Sequence, residues 1–170
     1  MIDIITGDIT TLEVDAVVNA ANSGLRGGGG VDGAIHRASG PRLLAELMTF
    51  RRCDTGDAVR TGAYDLRAKY VIHAVGPVWQ GGGSSEPDLL ARAYESAFAR
   101  AREAGDVRSI AFPAISTGVY SYPKREAARI ALAKMIDHEP EYDRIVACLF
   151  DDVDAALYRR TLDELRREAT

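Results

Sequence analysis

Apolar positions along the chain follow two alternating periodicities. Short β-branched and apolar runs at residues 2–5, 16–18, 58–64, 70–75, 109–115 and 144–150 predict six strands, several too uniformly apolar to keep one face in water. Between them, residues 31–50, 88–104, 123–137 and 153–168 carry apolar side chains at helical spacing. The first helical stretch should break at Gly40-Pro41, because proline lacks an N–H and restricts the residue before it; Pro123 suits a first helical turn. Buried strands alternating with amphipathic helices predict an α/β fold: a three-layer α/β/α domain with a central mixed, mostly parallel sheet, occupying residues 1–170 as one domain.

Composition narrows the partners. With 46% hydrophobic and 27% charged residues over 170 positions, the chain can bury a core without staples. A formal net charge of -4 disfavours a polyanion such as duplex nucleic acid, although a local pocket can still hold phosphate. Cys53 and Cys148 are far apart with no paired-ligand spacing, so ordinary reduced thiols and no zinc or other metal site are expected. The first residues lack a basic, then long apolar, leader pattern, and no run of about twenty apolar residues occurs, so a cytoplasmic, soluble monomer is expected, with no membrane partner. Gly81-Gly82-Gly83-Ser84-Ser85 is too short for a domain linker, and no internal repeat is visible.

The chemistry concentrates between Asn19 and His36, where two amides, four consecutive glycines, a carboxylate and an imidazole follow an apolar run. Glycines let main-chain N–H groups close on a ligand, and helix N-termini carry unpaired N–H groups, so an acidic protein can bind an anion here without lysine or arginine. In open α/β sheets such loops lie beyond the carboxyl ends of strands, as do Gly7-Asp8-Ile9-Thr10 and residues 116–123. Gly28, Gly30 and Gly33 formally satisfy the dinucleotide fingerprint. They come too far from the preceding apolar run, however, and Asp54 does not follow a strand, so that reading is set aside. Neither a P-loop nor a nucleophile elbow is present.

The run NAANSGLRGGGGVDGAIHRASGP, with GDIT upstream and GPVW and FPAISTGVYSYP downstream, resembles the macrodomain family over nearly the whole chain. It is most similar to the MacroD-type branch of ADP-ribosyl hydrolases and O-acetyl-ADP-ribose deacetylases. That resemblance implies an enzyme without metal or other cofactor, hydrolysing O-acetyl-ADP-ribose and mono-ADP-ribosylated proteins whose ADP-ribose is ester-linked to Asp or Glu. It assigns Asp8 and the Ile9 N–H to adenine, and Phe150 to packing on that base. Gly28, Gly29, Gly30 and Val31 would face Ser116, Thr117, Gly118, Val119 and Tyr120 across the diphosphate. Asn22 would bond the distal ribose, Asn19 would organise the loop beside the ligand, and Tyr120 would cover that ribose. Asp32 would orient or deprotonate the attacking water, with Asn22 as the second catalytic candidate positioning it.

Each assignment has a plainer counterpart in the residues themselves. Asp8 suits a turn cap, Phe150 taken alone suits a core, and Asp32 at a helix start compensates the dipole. His36, four residues after Asp32, shares its helical face and serves catalysis or loop structure. His73 reads as core, and His138 as a dipole partner near a helix C-terminus. Where related sequences carry an amide after the adenine-side aromatic, this chain has Asp154, within Asp151-Asp152-Val153-Asp154. Two other classes of function compete: a reader that binds ADP-ribose without cutting it, which needs the glycine cradle but not Asp32, and an RNA-interaction domain, which the net charge disfavours.

Overall fold

The computed structural model describes residues 1–170. Six strands, β1 (Ile2–Thr6), β2 (Ala16–Ala21), β3 (Ala58–Gly62), β4 (Tyr70–Val75), β5 (Ser109–Phe112) and β6 (Arg144–Leu149), form one sheet in the order β1-β6-β5-β2-β4-β3. Every pairing is parallel except β3 with β4, which is antiparallel. Helices α1 (Gly30–Ser39) and α2 (Pro41–Leu47) cover one face, while α3 (Glu86–Ala104), α4 (Lys124–His138) and α5 (Asp152–Glu168) cover the other. No helix is long and apolar enough to cross a membrane.

Strand alternation divides the core. Ala16 and Val18 of β2 join Ile72 of β4, Phe98 of α3 and Leu132 of α4 on one face; Val17, Val71 and Val75 meet Ile35 of α1 and Leu43 of α2 on the other. The predicted break between α1 and α2 occurs at Gly40, whose φ of 87° ends the first helix while Pro41 opens the second.

Several boundaries differ from the sequence reading for identifiable reasons. β2 continues through Asn19 to Ala21, paired with His73 to Val75 of β4, and the Asn19 side chain finds buried hydrogen-bond partners in His73 of β4 and Asp32 of α1. β5 stops at Phe112, before Pro113, and β3 stops at Gly62, so residues 63–64 and 113–115 leave the ladder. The second helical stretch starts at Glu86 instead of residue 88, since Glu86 collects the loop N–H groups ahead of it. Pro123 is the N-cap of α4 and not its first turn. Phe150 lies just past β6 and is 92% exposed, so it belongs neither to the strand nor to the core.

Candidate active site

The parallel strands β2 and β5 and the neighbouring β4 end at one edge, and the loops that follow them build a cleft. It encloses about 340 Å³ between Asn22, the glycine turn with Val31 and Asp32, and the loop from Ala114 to Tyr120, a volume in the range typical of small-molecule sites. Its floor is made by Ala20, Ala21 and Gly76, which the sequence reading did not single out. Gly76 must lack a side chain, because a Cβ there would overlap Ser116 Oγ and sit 2.6 Å from Ile115 Cγ2. The visible signal was GPVW directly after a strand.

One wall is the N-terminus of α1. Gly29 caps the helix with no side-chain hydrogen bond, and the first bonded N–H is that of Gly33, which donates to the Gly29 carbonyl at 3.2 Å. The N–H groups of Gly30, Val31 and Asp32 precede it and have no intrahelical acceptor, which is the donor set an anion needs. Gly33 holds the turn against the helix: a Cβ there would lie 2.5 Å from the Gly28 carbonyl oxygen. Asn22 closes the turn from inside, its Nδ2 donating to the Gly27 carbonyl at 3.0 Å and its Oδ1 accepting from the Leu25 N–H at 3.1 Å.

The facing wall, residues 116–122, folds back on itself: the Tyr122 N–H donates to the Ser116 carbonyl and the Ser121 N–H to the Gly118 carbonyl, both at 2.9 Å. Ser116 and Ser121 both adopt positive φ, 69° and 61°, and the Ser116 hydroxyl is buried without a partner. A third loop braces this wall, through the Trp79 N–H donating to the Tyr120 carbonyl at 2.9 Å and Trp79 packing on Tyr122. That loop contains the five-residue Gly/Ser patch, which is pinned: the Glu86 carboxylate accepts from the N–H groups of Gln80, Gly82 and Ser84 at 2.6–2.9 Å.

Asp32 sits at the junction of the walls and is 6% exposed. Its Oδ1 accepts from Asn19 Nδ2 at 2.8 Å and lies 3.3 Å from His36 Nε2, as the four-residue spacing suggested. Its Oδ2 is turned toward Gly28, 3.4 Å from where a Cβ on that glycine would stand, with Asn22 Nδ2 at 3.6 Å from the same point. One carboxylate oxygen is therefore held by the protein and the other faces the cleft beside Asn22.

Asn19 itself is fully buried in β2 and reaches the cleft only through Asp32, which corrects its expected place in the loop beside the ligand. His73 is buried, as its apolar strand implied, but both ring nitrogens are hydrogen-bonded, to Asn19 and Thr61. Burial, with a smaller contribution from nearby His36, pushes its pKa down to about 3. His138 is more than a dipole partner: it bonds Glu141 at 2.7 Å and Glu95 at 2.8 Å and stacks on Phe98, tying α4 to α3.

The remaining predicted residues lie outside the cavity lining. The Gly7 N–H donates to the Leu149 carbonyl at 3.0 Å, so the chain entering Asp8 and Ile9 runs next to the chain entering Phe150, whose ring is exposed. Asp8 does cap the turn Ile9–Thr11, accepting from the Thr10 N–H and hydroxyl, but through Oδ1 alone. Thr117 belongs to the facing loop without lining the cavity. The Asp154 departure has a local partner: Lys124 of α4 lies 3.0 Å from its Oδ1, and Asp151 caps α5 through the Asp154 N–H.

A family model described as Macro domain matches residues 18–131, from β2 through most of α4. The chain belongs to the macrodomain family. Among proteins to which this macrodomain is similar, the O-acetyl-ADP-ribose deacetylase of Klebsiella pneumoniae is 54% identical over 167 residues, 94% of this chain and 95% of that protein. The human ADP-ribose glycohydrolase MACROD2 is 52% identical over 164 residues, 93% of this chain but 38% of that longer protein. A solved macrodomain of Trypanosoma brucei in complex with ADP-ribose superposes with a TM-score of 0.86 at 43% identity, covering 94% of this macrodomain and 68% of that chain. The six-stranded mixed sheet of this macrodomain, with helices on both faces, is thus the family's architecture.

Proposed function

We propose that this macrodomain is a hydrolase of ADP-ribose derivatives. It removes the acetyl group from O-acetyl-ADP-ribose and releases mono-ADP-ribose ester-linked to Asp or Glu of proteins. The observation that carries the reading is the division of labour at Asp32: Oδ1 is occupied by Asn19 and His36, while Oδ2 points into the cleft next to Asn22. A module that only bound ADP-ribose would need the N–H cradle and no such acid.

The chemistry follows from that placement. With the diphosphate between the α1 N-terminus and residues 116–120, and adenine by Asp8, Ile9 and Phe150, the distal ribose lies against Asn22 under Tyr120. Asp32 Oδ2 accepts a hydrogen bond from a water and aims its oxygen at the reacting carbon. On the acetyl ester, water oxygen bonds to the carbonyl carbon, the bond to the ribose oxygen breaks, and that oxygen takes a proton to leave as a hydroxyl. On a protein ester, the same water attacks the anomeric carbon and the carboxylate of Asp or Glu departs. The relatives named as a deacetylase and as an ADP-ribose glycohydrolase support both arms.

The test pairs binding with turnover. In Asp32→Ala, calorimetry with ADP-ribose should show affinity largely retained, while release of acetate and of Glu-linked ADP-ribose falls by about a hundredfold to ten-thousandfold. Binding by the wild type without product would favour the reader, and unchanged turnover in the variant would remove Asp32 from the mechanism.

A further inference from the structure

The oxygen of Asp32 that faces away from the cleft opens onto a buried polar row running across the sheet. Asn19, His73 and Thr61 lie on the neighbouring strands β2, β4 and β3 and share the sheet face that α1 covers. Asn19 stands opposite His73 in the β2–β4 register, and Thr61 stands opposite Val71 on that same face. All three are at most 2% exposed. Asn19 Nδ2 is 2.8 Å from Asp32 Oδ1 and 3.1 Å from His73 Nδ1; His73 Nε2 is 3.0 Å from Thr61 Oγ1, which donates to the Gly62 carbonyl at 3.0 Å.

The donors and acceptors in this row admit one assignment. A carboxylate only accepts, so the Asn19 group facing Asp32 is the amide nitrogen, and its second hydrogen points at His73 Nδ1, which must accept. In a neutral ring the proton is then on Nε2, where Thr61 Oγ1 accepts it because the threonine proton is committed to the Gly62 carbonyl. Asn19 Oδ1 is buried with no partner, so no acceptor contact of its own holds the amide in this sense. Its orientation is set from the two ends. The ring stays neutral because burial holds its pKa near 3, so it carries one proton, and the neighbours on either side hold that proton on Nε2.

We infer that Thr61 and His73 act as a tautomer lock, positioning residues that fix the Asn19 amide and, through it, the rotamer of Asp32 that presents Oδ2 to the water. If Thr61 no longer accepts, the proton can move to Nδ1, which then faces the Asn19 amide nitrogen donor to donor. The amide turns, its oxygen meets Asp32 Oδ1, and the carboxylate swings away from its hold. A displacement near 1 Å at a catalytic group costs about a hundredfold in rate. This inference rests on the hydrolase reading for its kinetic consequence, but the tautomer is measurable without substrate.

The experiment compares wild type, Thr61→Val and Thr61→Ser by 15N NMR of the histidine rings, ADP-ribose calorimetry, and kcat and KM on O-acetyl-ADP-ribose. Expected are an Nε2–H tautomer of His73 in the wild type, and in Thr61→Val a kcat lower by about tenfold to a hundredfold, with ADP-ribose Kd within about twofold. Thr61→Ser, which keeps the acceptor, should restore both the tautomer and kcat. An Nδ1–H tautomer in the wild type overturns the lock outright, whatever the variants do. Wild-type kcat in a folded Thr61→Val, or equal losses in Val and Ser variants tracking a lowered Tm, overturns it as well. A wild type that turns over neither ester overturns the hydrolase reading and the kinetic role together, whereas failure of Thr61→Val alone to slow an active enzyme overturns only the lock.

Discussion

Phe150 leaves 92% of its surface in water just past β6, where the Gly7 N–H bonds the Leu149 carbonyl, so its ring contributes little burial to the fold. Its ring is available to stack on a base, and base-aromatic stacking contributes about 1–3 kcal/mol. Phe150→Ala should therefore weaken ADP-ribose binding about fivefold to a hundredfold while leaving Tm unchanged, because no packing is lost; calorimetry and thermal unfolding on the same variant decide it. An unaltered Kd would move adenine away from this end of the molecule. At this scale the sequence carried much of the site, since Asp32, Asn22 and Asp8 are short polar residues in a recognisable order. What it could not carry was division of labour within one side chain. Asp8 caps a turn with Oδ1 only, and Asp32 spends Oδ1 on Asn19 and His36, facts that depend on atoms from other strands and helices.

Among elements, the loop between β4 and α3 departs furthest from its appearance. Three glycines and two serines read as slack, yet Glu86 gathers two of their N–H groups, those of Gly82 and Ser84, together with that of Gln80, and Trp79 ties the loop to Tyr120. Burial by itself would raise the Glu86 pKa, but the N–H groups of Gln80, Gly82 and Ser84 outweigh it and pull it down to about 2 from an ordinary 4.5. A folded-state pKa below the unfolded one gives stability that is present above about 4.5 and disappears as pH falls through about 2. Urea unfolding at a series of pH values should show Glu86→Gln less stable than wild type at neutral pH, with the gap closing across that window. A gap independent of pH would mean that the glutamate acts by shape and not by charge. Here periodicity found the helix but not its start, because the signal is a carboxylate reaching backward to a loop, which no helical pattern records.

For the whole molecule, the cleft is assembled from loops that leave three adjacent strands, so a ligand spanning it favours the folded state over the unfolded one as a unit. ADP-ribose at a hundred times its Kd should stabilise the protein by about 2.7 kcal/mol and raise Tm by about 5 to 10 °C. Scanning calorimetry measures this directly, and the absence of any shift would contradict the cleft as the binding site. The sequence by itself determined the layers and the chemistry of the glycine turn, because alternating periodicities and glycine's backbone freedom are local properties. Only the tertiary structure decided that Asn19 belongs to a strand and not a loop, and that Thr61 and His73, far from Asp32 in the chain, stand in one row with it. Sheet register between nonconsecutive strands makes that row, and register is fixed by packing both faces at once, which no single segment encodes.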